Sequence, residues 1–327
     1  MFDTWVPIIF GLVLLIVGGD LLVRGAVQVA GRLGVSPLVI GLTLVGFGTS
    51  TPELVTSVQA ALIGAPGIAF GNIVGSNIAN ILLILGASAL LYPIAVTSSA
   101  LRRDGLVMLA AAGGFAALAA MMTMNRFVGA AFLLLLFGYI YVAFRQEKRA
   151  AADEHGAVYD KGIALQAADP NTIPAAQGRG SLLFPILLTL AGLALVVGGG
   201  TFLVRGAVTL AQSFGISQTV IGLTIVAVGT SLPELVTSIL AAFKRQGDVA
   251  FGNIIGSNIY NILGIGGATA LIEPGAVPEE IAGFDNPVMI AVSLLLVYFA
   301  WTGLKIARWE GAVLLLGYIG YIYVIWP

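Results

Sequence analysis

The sequence predicts an all-α integral membrane protein of ten transmembrane helices, arranged as two inverted five-helix repeats whose broken helices meet at the midplane. Three observations carry this reading: 58% of the 327 residues are hydrophobic and only 9% charged, the chain repeats itself, and each copy has a proline and a glutamate inside an apolar run. Soluble domains carry about 25% charged residues, so this composition excludes an ordinary cytosolic protein. There is no cysteine, which removes disulfides and thiolate metal sites.

Apolar runs of the roughly 20 residues a bilayer requires fall near 5–28, 36–63, 68–92, 104–122, 126–145, 181–209, 217–243, 249–272, 287–303 and 309–326. The first lacks a basic leading region and reads as a span, not a cleaved signal peptide. Residues 146–180, with "RQEKRAAADEHG", read as a surface linker, partly helical and too short for a folded domain. This divides the chain into a first repeat (1–145), the linker (146–180) and a second repeat (181–327). Thirteen of the fifteen Lys and Arg residues lie on the linker's side of the membrane, leaving only Arg126 and Arg205 opposite. The positive-inside rule therefore predicts a cytoplasmic linker and both termini outside, in a cell inner (plasma) membrane. On the outer side Glu273, Glu279, Glu280 and Asp285 form an acidic loop that either concentrates cations or is merely solvated.

A shift of 181 residues lays Gly41–Gly86 on Gly222–Gly267 without a gap, with 29 identities in 46 positions. Five spans per copy is an odd number, so the second copy enters the membrane from the other side. Inverted repeats of this kind belong to secondary transporters, whose sites sit where the repeats meet.

Both copies carry Gly-Thr-Ser-x-Pro-Glu. Proline breaks a helix interior but suits the first turn of a new one, so a half-helix is expected to end near Gly48 and another to open at Pro52, with Ser50 or Thr51 as cap. The break frees carbonyls, which join the hydroxyls of Thr49 and Ser50 as hard oxygen donors. Thr230, Ser231, Pro233 and Glu234 repeat the pattern. The following spans bring "GNIVGSNIAN" and "GNIIGSNIYN", in which Ser76 and Asn80, like Ser257 and Asn261, share a helical face. An intramembrane carboxylate costs about 2.5 kcal/mol or more. A lone one could be a structural hydrogen-bonding residue, but twin copies in broken helices argue for a site.

Two carboxylates, hydroxyls, amides and carbonyls, without imidazole or sulfur, select hard cations such as Ca²⁺, Na⁺, K⁺ or Mg²⁺. Glu53 and Glu234 repel when they meet in a medium of low dielectric, and protonation or cation binding relieves them. Other features read as structural: Gly18–Gly19 and Gly198–Gly200 as close helix packing, Asp20 as an end-of-span polar residue, and His155 as a solvated linker residue. No P-loop lysine follows the glycine-rich stretches.

The paired GTSxPE and GSNxxN segments resemble the α-repeats of the cation/calcium exchanger superfamily, in particular the prokaryotic sodium/calcium exchanger type. The resemblance extends over nearly the whole chain. It implies ten helices, with the second, third, seventh and eighth around the ions and the long first and sixth sliding across them. It implies cation ligation by Glu53 and Glu234 at the centre, with Thr49, Ser50, Ser76, Thr230, Ser231 and Ser257 around them, completed by Asn80, Asn261 and the carbonyls of Gly46 and Ala227. Some members have aspartate where this chain has Asn261, so the central charge here is −2, enough for one Ca²⁺ or two Na⁺.

The function expected is a secondary active Na⁺/Ca²⁺ antiporter that expels Ca²⁺ by alternating access. An H⁺/Ca²⁺ exchanger and a K⁺-dependent exchanger are the near alternatives, and a cation channel is a remote one. The partners expected are the transported ions and the lipid bilayer. Nothing calls for an organic cofactor, a nucleic acid or an obligatory protein partner, and no nucleophile–base pair recurs to suggest an enzyme.

Overall fold

The computed structural model describes residues 2–33, 40, 43–44, 46–96, 101–147, 157–168 and 182–327. His155, most of the linker and the start of the second predicted span lie outside the described residues. The first half runs α1 (Phe2–Arg32), a tight turn at Gly48–Ser50, α2 (Thr51–Leu62), α3 (Pro66–Leu91), α4 (Leu101–Met121) and α5 (Arg126–Glu147). A short helix, α6 (Ala157–Ala168), follows. The second half runs α7 (Leu183–Phe214), α8 (Gln218–Thr230), α9 (Leu232–Phe243), α10 (Gly247–Ile272), α11 (Ile281–Trp301) and α12 (Arg308–Ile325).

Among the described residues seven helices are long and apolar enough to cross a membrane, and α8 with α9, bent by 50° between them, makes an eighth. Length and composition therefore yield eight of the ten expected crossings. The segments 36–63 and 309–326 hold the shorter α2 and α12. In the second copy the predicted break appears where proline puts it, with Pro233 in the first turn of α9; in the first, α2 opens with Pro52 in its first turn, and the half-helix expected before Gly48 lies largely outside the described residues.

The two halves interlock. Packing joins α12 to α3 and α5 to α10, so each half's last helix lies on the other half's third. Two small backbone pairings in the connections between helices repeat this exchange. Strand β1 (Ile94–Ala95) pairs antiparallel with β2 (Lys305–Ile306), and Met124 pairs with Gly275. The most buried helices are α3 and α10, and each contains a π-helical stretch, Asn80–Leu85 and Tyr260–Gly266. Such widened turns often mark functional sites inside helices.

Outside this core α1 and α7 pack antiparallel along their length. Gly11, Gly18 and Gly25 on α1 face Gly199, Gly192 and Pro185 on α7 so closely that a Cβ at Gly18 would lie 2.8 Å from the Val196 nitrogen, and one at Gly192 only 2.3 Å from the Leu22 nitrogen. Small residues let membrane helices approach to backbone contact, and their spacing of seven keeps the contact stripe in register along both helices. The opposite faces expose large apolar residues such as Phe10, Val13, Leu187 and Leu190.

Candidate ion-binding site

The turn at Gly48–Ser50 and the bend at Ser231 bring the two glutamates into the core, where Glu53 and Glu234 are each 1% exposed. The capping expected of Ser50 does not occur. Ser50 precedes α2 but makes no cap hydrogen bond; its hydroxyl donates instead to Glu234 Oε1 at 2.8 Å. Reciprocally, the Ser231 hydroxyl donates to Glu53 Oε1 at 2.9 Å. Each carboxylate is thus held by the broken helix of the other half, because a hydrogen bond to a buried anion is worth more than one to a single backbone amide.

Behind the carboxylates two asparagines fix the helix positions. Asn72 Nδ2 donates to the Glu53 carbonyl (3.2 Å) and to Ser57 Oγ (2.9 Å), while its Oδ1 accepts from Thr230 (3.0 Å) and Ser76 (3.5 Å). Asn253 does the same in the second half, donating to the Glu234 carbonyl (3.4 Å), Thr237 (2.9 Å) and Ser238 (2.8 Å). A third link joins α3 to α10 through Asn80 Nδ2 and Asn258 Oδ1 at 2.9 Å, with Asn258 Nδ2 donating back to the Asn77 carbonyl at 3.3 Å. The six asparagines of the repeated motif are therefore internal. Asn72 and Asn253 organise the site without having been among its expected ligands.

All twelve residues expected at the site are buried. Five of their side-chain oxygens have no hydrogen-bond partner: Thr49 Oγ1, Glu53 Oε2, Asn80 Oδ1, Glu234 Oε2 and Asn261 Oδ1. Asn80 and Asn261 stand at the start of the two π-helical stretches. Thr230 is turned inward on its own helix, donating to the Val226 and Ala227 carbonyls as well as to Asn72. The Ala227 carbonyl also accepts from the Ser231 amide at 3.1 Å, so it is engaged within the chain and not freed by the break. Among the described residues no group of three or more His, Cys, Asp or Glu gathers as a metal cluster.

One further group in the site was not foreseen. Lys161 of α6 is 0% exposed, and its ammonium donates to Ser50 Oγ at 2.9 Å, to Glu234 Oε1 at 3.4 Å and, in a very short contact, to Ser257 Oγ. The surface-linker reading thus fails for α6, whose Ala157, Asp160, Lys161 and Ala164 are buried. The available signal was the change from the charge-rich run at 145–155 to "AVYDKGIALQAA". A cavity of about 350 Å³ lies alongside, reaching from Asp20 and Val23 of α1 past Thr49 and Pro52 to Leu165 of α6 and Thr237 of α9. Asp20 lies within the 31-residue α1 and pairs with Arg24 at 2.8 Å. Of the acidic stretch 273–285, Glu273, Glu279 and Glu280 are exposed, but Asp285 is buried and accepts from the Tyr321 hydroxyl at 2.8 Å.

Residues 4–145 and 184–326 match the sodium/calcium exchanger protein family. The chain belongs to that family. It is 42% identical over 322 residues to the putative antiporter CaxA of Alkalimonas amylolytica, covering 97% of both chains. It is 38% identical over 343 residues to the sodium/calcium exchanger MaX1 of Methanosarcina acetivorans, again covering 97% of both. Among solved structures it is similar to the sodium–calcium exchanger NCX_Mj soaked with 10 mM Na⁺ and no Ca²⁺, with 34% identity, 98% of each chain covered and a TM-score of 0.63. The exchanger is thus a multi-span membrane transporter, and the expected resemblance is shown.

The asparagine pair gives a direct check on how this exchanger holds its carboxylates. Asn72→Ala should lower thermal stability by about 1–3 kcal/mol, because it removes buried hydrogen bonds to α2, α8 and its own helix at once. Asn72→Asp keeps the acceptor but adds a charge, and should be worse. Melting curves in detergent read both, and a melting temperature unchanged in Asn72→Ala would remove the network from the fold's support.

Proposed function

We propose that this exchanger is a Na⁺/Ca²⁺ antiporter that uses inward Na⁺ flow to expel Ca²⁺ by alternating access. The observation that carries the reading is that five buried side-chain oxygens of the expected ligands, one from each carboxylate and three from Thr49, Asn80 and Asn261, have no hydrogen-bond partner, because a buried polar oxygen without a donor is costly unless a cation satisfies it. Ca²⁺ takes about six to eight oxygens in flexible geometry, and the hydroxyls of Ser50, Ser76, Ser231 and Ser257 are adjacent additions to the five. The twelve residues Gly46, Thr49, Ser50, Glu53, Ser76, Asn80, Ala227, Thr230, Ser231, Glu234, Ser257 and Asn261 form the proposed ligand set, Ala227 through the remaining lone pair of a carbonyl that already accepts from the Ser231 amide. The names of MaX1 and NCX_Mj support the same ions.

The architecture proposed with it is two inverted five-helix repeats, residues 1–145 and 181–327, in a cell inner (plasma) membrane, with both termini outside and the linker 146–180 on the cytoplasmic side, from which α6 folds back into the core. The bare pair of carboxylates costs several kcal/mol per ion in an occluded interior. That cost makes the empty carrier slow to switch sides and so couples one ion to the other.

Vesicles loaded with Na⁺ and carrying the purified protein should take up Ca²⁺ when Na⁺ is diluted outside, independently of imposed pH or K⁺ gradients. Uptake driven only by a pH gradient would replace Na⁺ with H⁺ in the reading. A requirement for K⁺ would make it a K⁺-dependent exchanger, and Ca²⁺ flux without any countergradient would make it a channel.

A further inference from the structure

We propose that α6 is an autoinhibitory strap whose Lys161 ammonium is a tethered cation that occupies the ion site and competes with the transported ions. The inference rests on the ion site proposed above and concerns its regulation.

Three independent features place α6 there. The first is the ammonium itself, which binds two serines of the expected ligand set and one of the two carboxylates. A lysine carried into a membrane protein's interior is expensive and is retained where it pairs or acts. The second is a groove built to receive a helix. Gly252 and Gly256 on α10 leave room for α6 so narrowly that a Cβ at Gly252 would lie 2.2 Å from the Asp160 Cβ, and one at Gly256 would lie 3.2 Å from the Ala157 carbonyl. Their repeat counterparts, Gly71 and Gly75 on α3, receive the α8 half-helix in the same way, with Cβ approaches of 3.0 Å to the Leu223 nitrogen and 2.5 Å to the Leu223 carbonyl. The strap therefore docks in a groove of the kind the fold uses for a half-helix of the ion path. The third is an anchor: Asp104 Oδ2 accepts from the Ala157 amide at the start of α6 at 2.7 Å, and the Asp104 carboxylate is held in turn by Arg103 and Tyr139. An acidic group at a helix's first turn favours the helix there.

Charge decides what the strap excludes. With Lys161 in place Glu53, Glu234 and the ammonium sum to −1, so one Na⁺ completes the site. Ca²⁺ would leave it at +1 in a medium of low dielectric and must displace the lysine. The strap thus sets a threshold concentration for Ca²⁺: its apparent affinity is reduced by the fraction of molecules from which α6 has withdrawn.

Amine-reactive labelling of the wild-type protein in detergent, read by mass spectrometry, tests this directly. Lys161 should be protected relative to the exposed Lys244 and Lys305 and become labelled as Ca²⁺ is raised to saturation. Lys161→Gln should lower the Ca²⁺ concentration for half-maximal uptake by about tenfold or more if α6 is withdrawn in a tenth of the molecules or fewer. Lys161→Arg, which keeps the charge, should stay near the wild-type value. Ca²⁺ flux through a wild-type protein whose Lys161 stays protected throughout, or equal Ca²⁺ dependence in Lys161→Gln and wild type, overturns the proposal. If neither protein moves Ca²⁺ but another cation both moves and exposes Lys161, the Na⁺/Ca²⁺ reading fails and the strap stands.

Discussion

Glu53→Gln and Glu234→Gln should each reduce exchange by more than about a hundredfold while leaving the protein folded. Removing one of two charges takes away half of the field that holds a divalent ion, and breaking a buried charge pairing costs about 3–5 kcal/mol. At roughly 1.4 kcal/mol per factor of ten, that loss exceeds two orders of magnitude. Glutamine keeps an acceptor at Oε1, so the bonds from Ser231 and Ser50 and the packing of α2 and α9 survive. The check is Na⁺-driven Ca²⁺ uptake in vesicles beside size-exclusion profiles and melting curves of the same preparations. Exchange at wild-type rates in both variants would take the glutamates out of the site. The two differ in one respect: Lys161 contacts Glu234, so Glu234→Gln also loosens the strap and should raise labelling of Lys161 where Glu53→Gln does so less.

The second large effect is expected on the long helices. In Gly192→Leu the new Cβ would meet the Leu22 backbone nitrogen at 2.3 Å, whereas in Gly198→Leu, six residues along the same helix, nothing lies within 4 Å. Backbone cannot yield as a flexible side chain can, so Gly192→Leu must push α1 and α7 apart. We expect a destabilisation of about 1–3 kcal/mol together with loss of exchange, because a bulky residue in a stripe of small ones also locks any movement of the pair along it. Gly198→Leu should be within about 0.5 kcal/mol of wild type. Equal melting temperatures and equal flux in the two variants would show that the stripe carries neither packing nor movement.

How much of this was legible in the sequence differs by residue, for physical reasons. The breaks at Pro52 and Pro233 were legible because proline's missing amide is a local property, and the duplication was legible because both copies must supply the same buried donors. The partners of Ser50 and Ser231 were not. Helix-capping rules point a serine at its own helix, but a carboxylate approaching from the other half, 184 residues away for Ser50, wins over that local bond. The π-helical stretches that begin near Asn80 and Asn261 leave no periodicity signature in a few residues. Asp285 looked solvated because its neighbours are charged, yet the partner that buries it, Tyr321, lies 36 residues downstream. Lys161 was counted as one more cytoplasmic cation, because a lysine in a linker carries no mark of where the linker folds back.

The crossed serine bonds have a consequence for how such a protein can be taken apart. Neither half steadies its own glutamate: the serine that donates to Glu53 is encoded in the second half and the one that donates to Glu234 in the first. Two fragments produced separately should thus recover cation binding only when mixed, whereas duplicates of one fragment could do so only by facing each other head to tail.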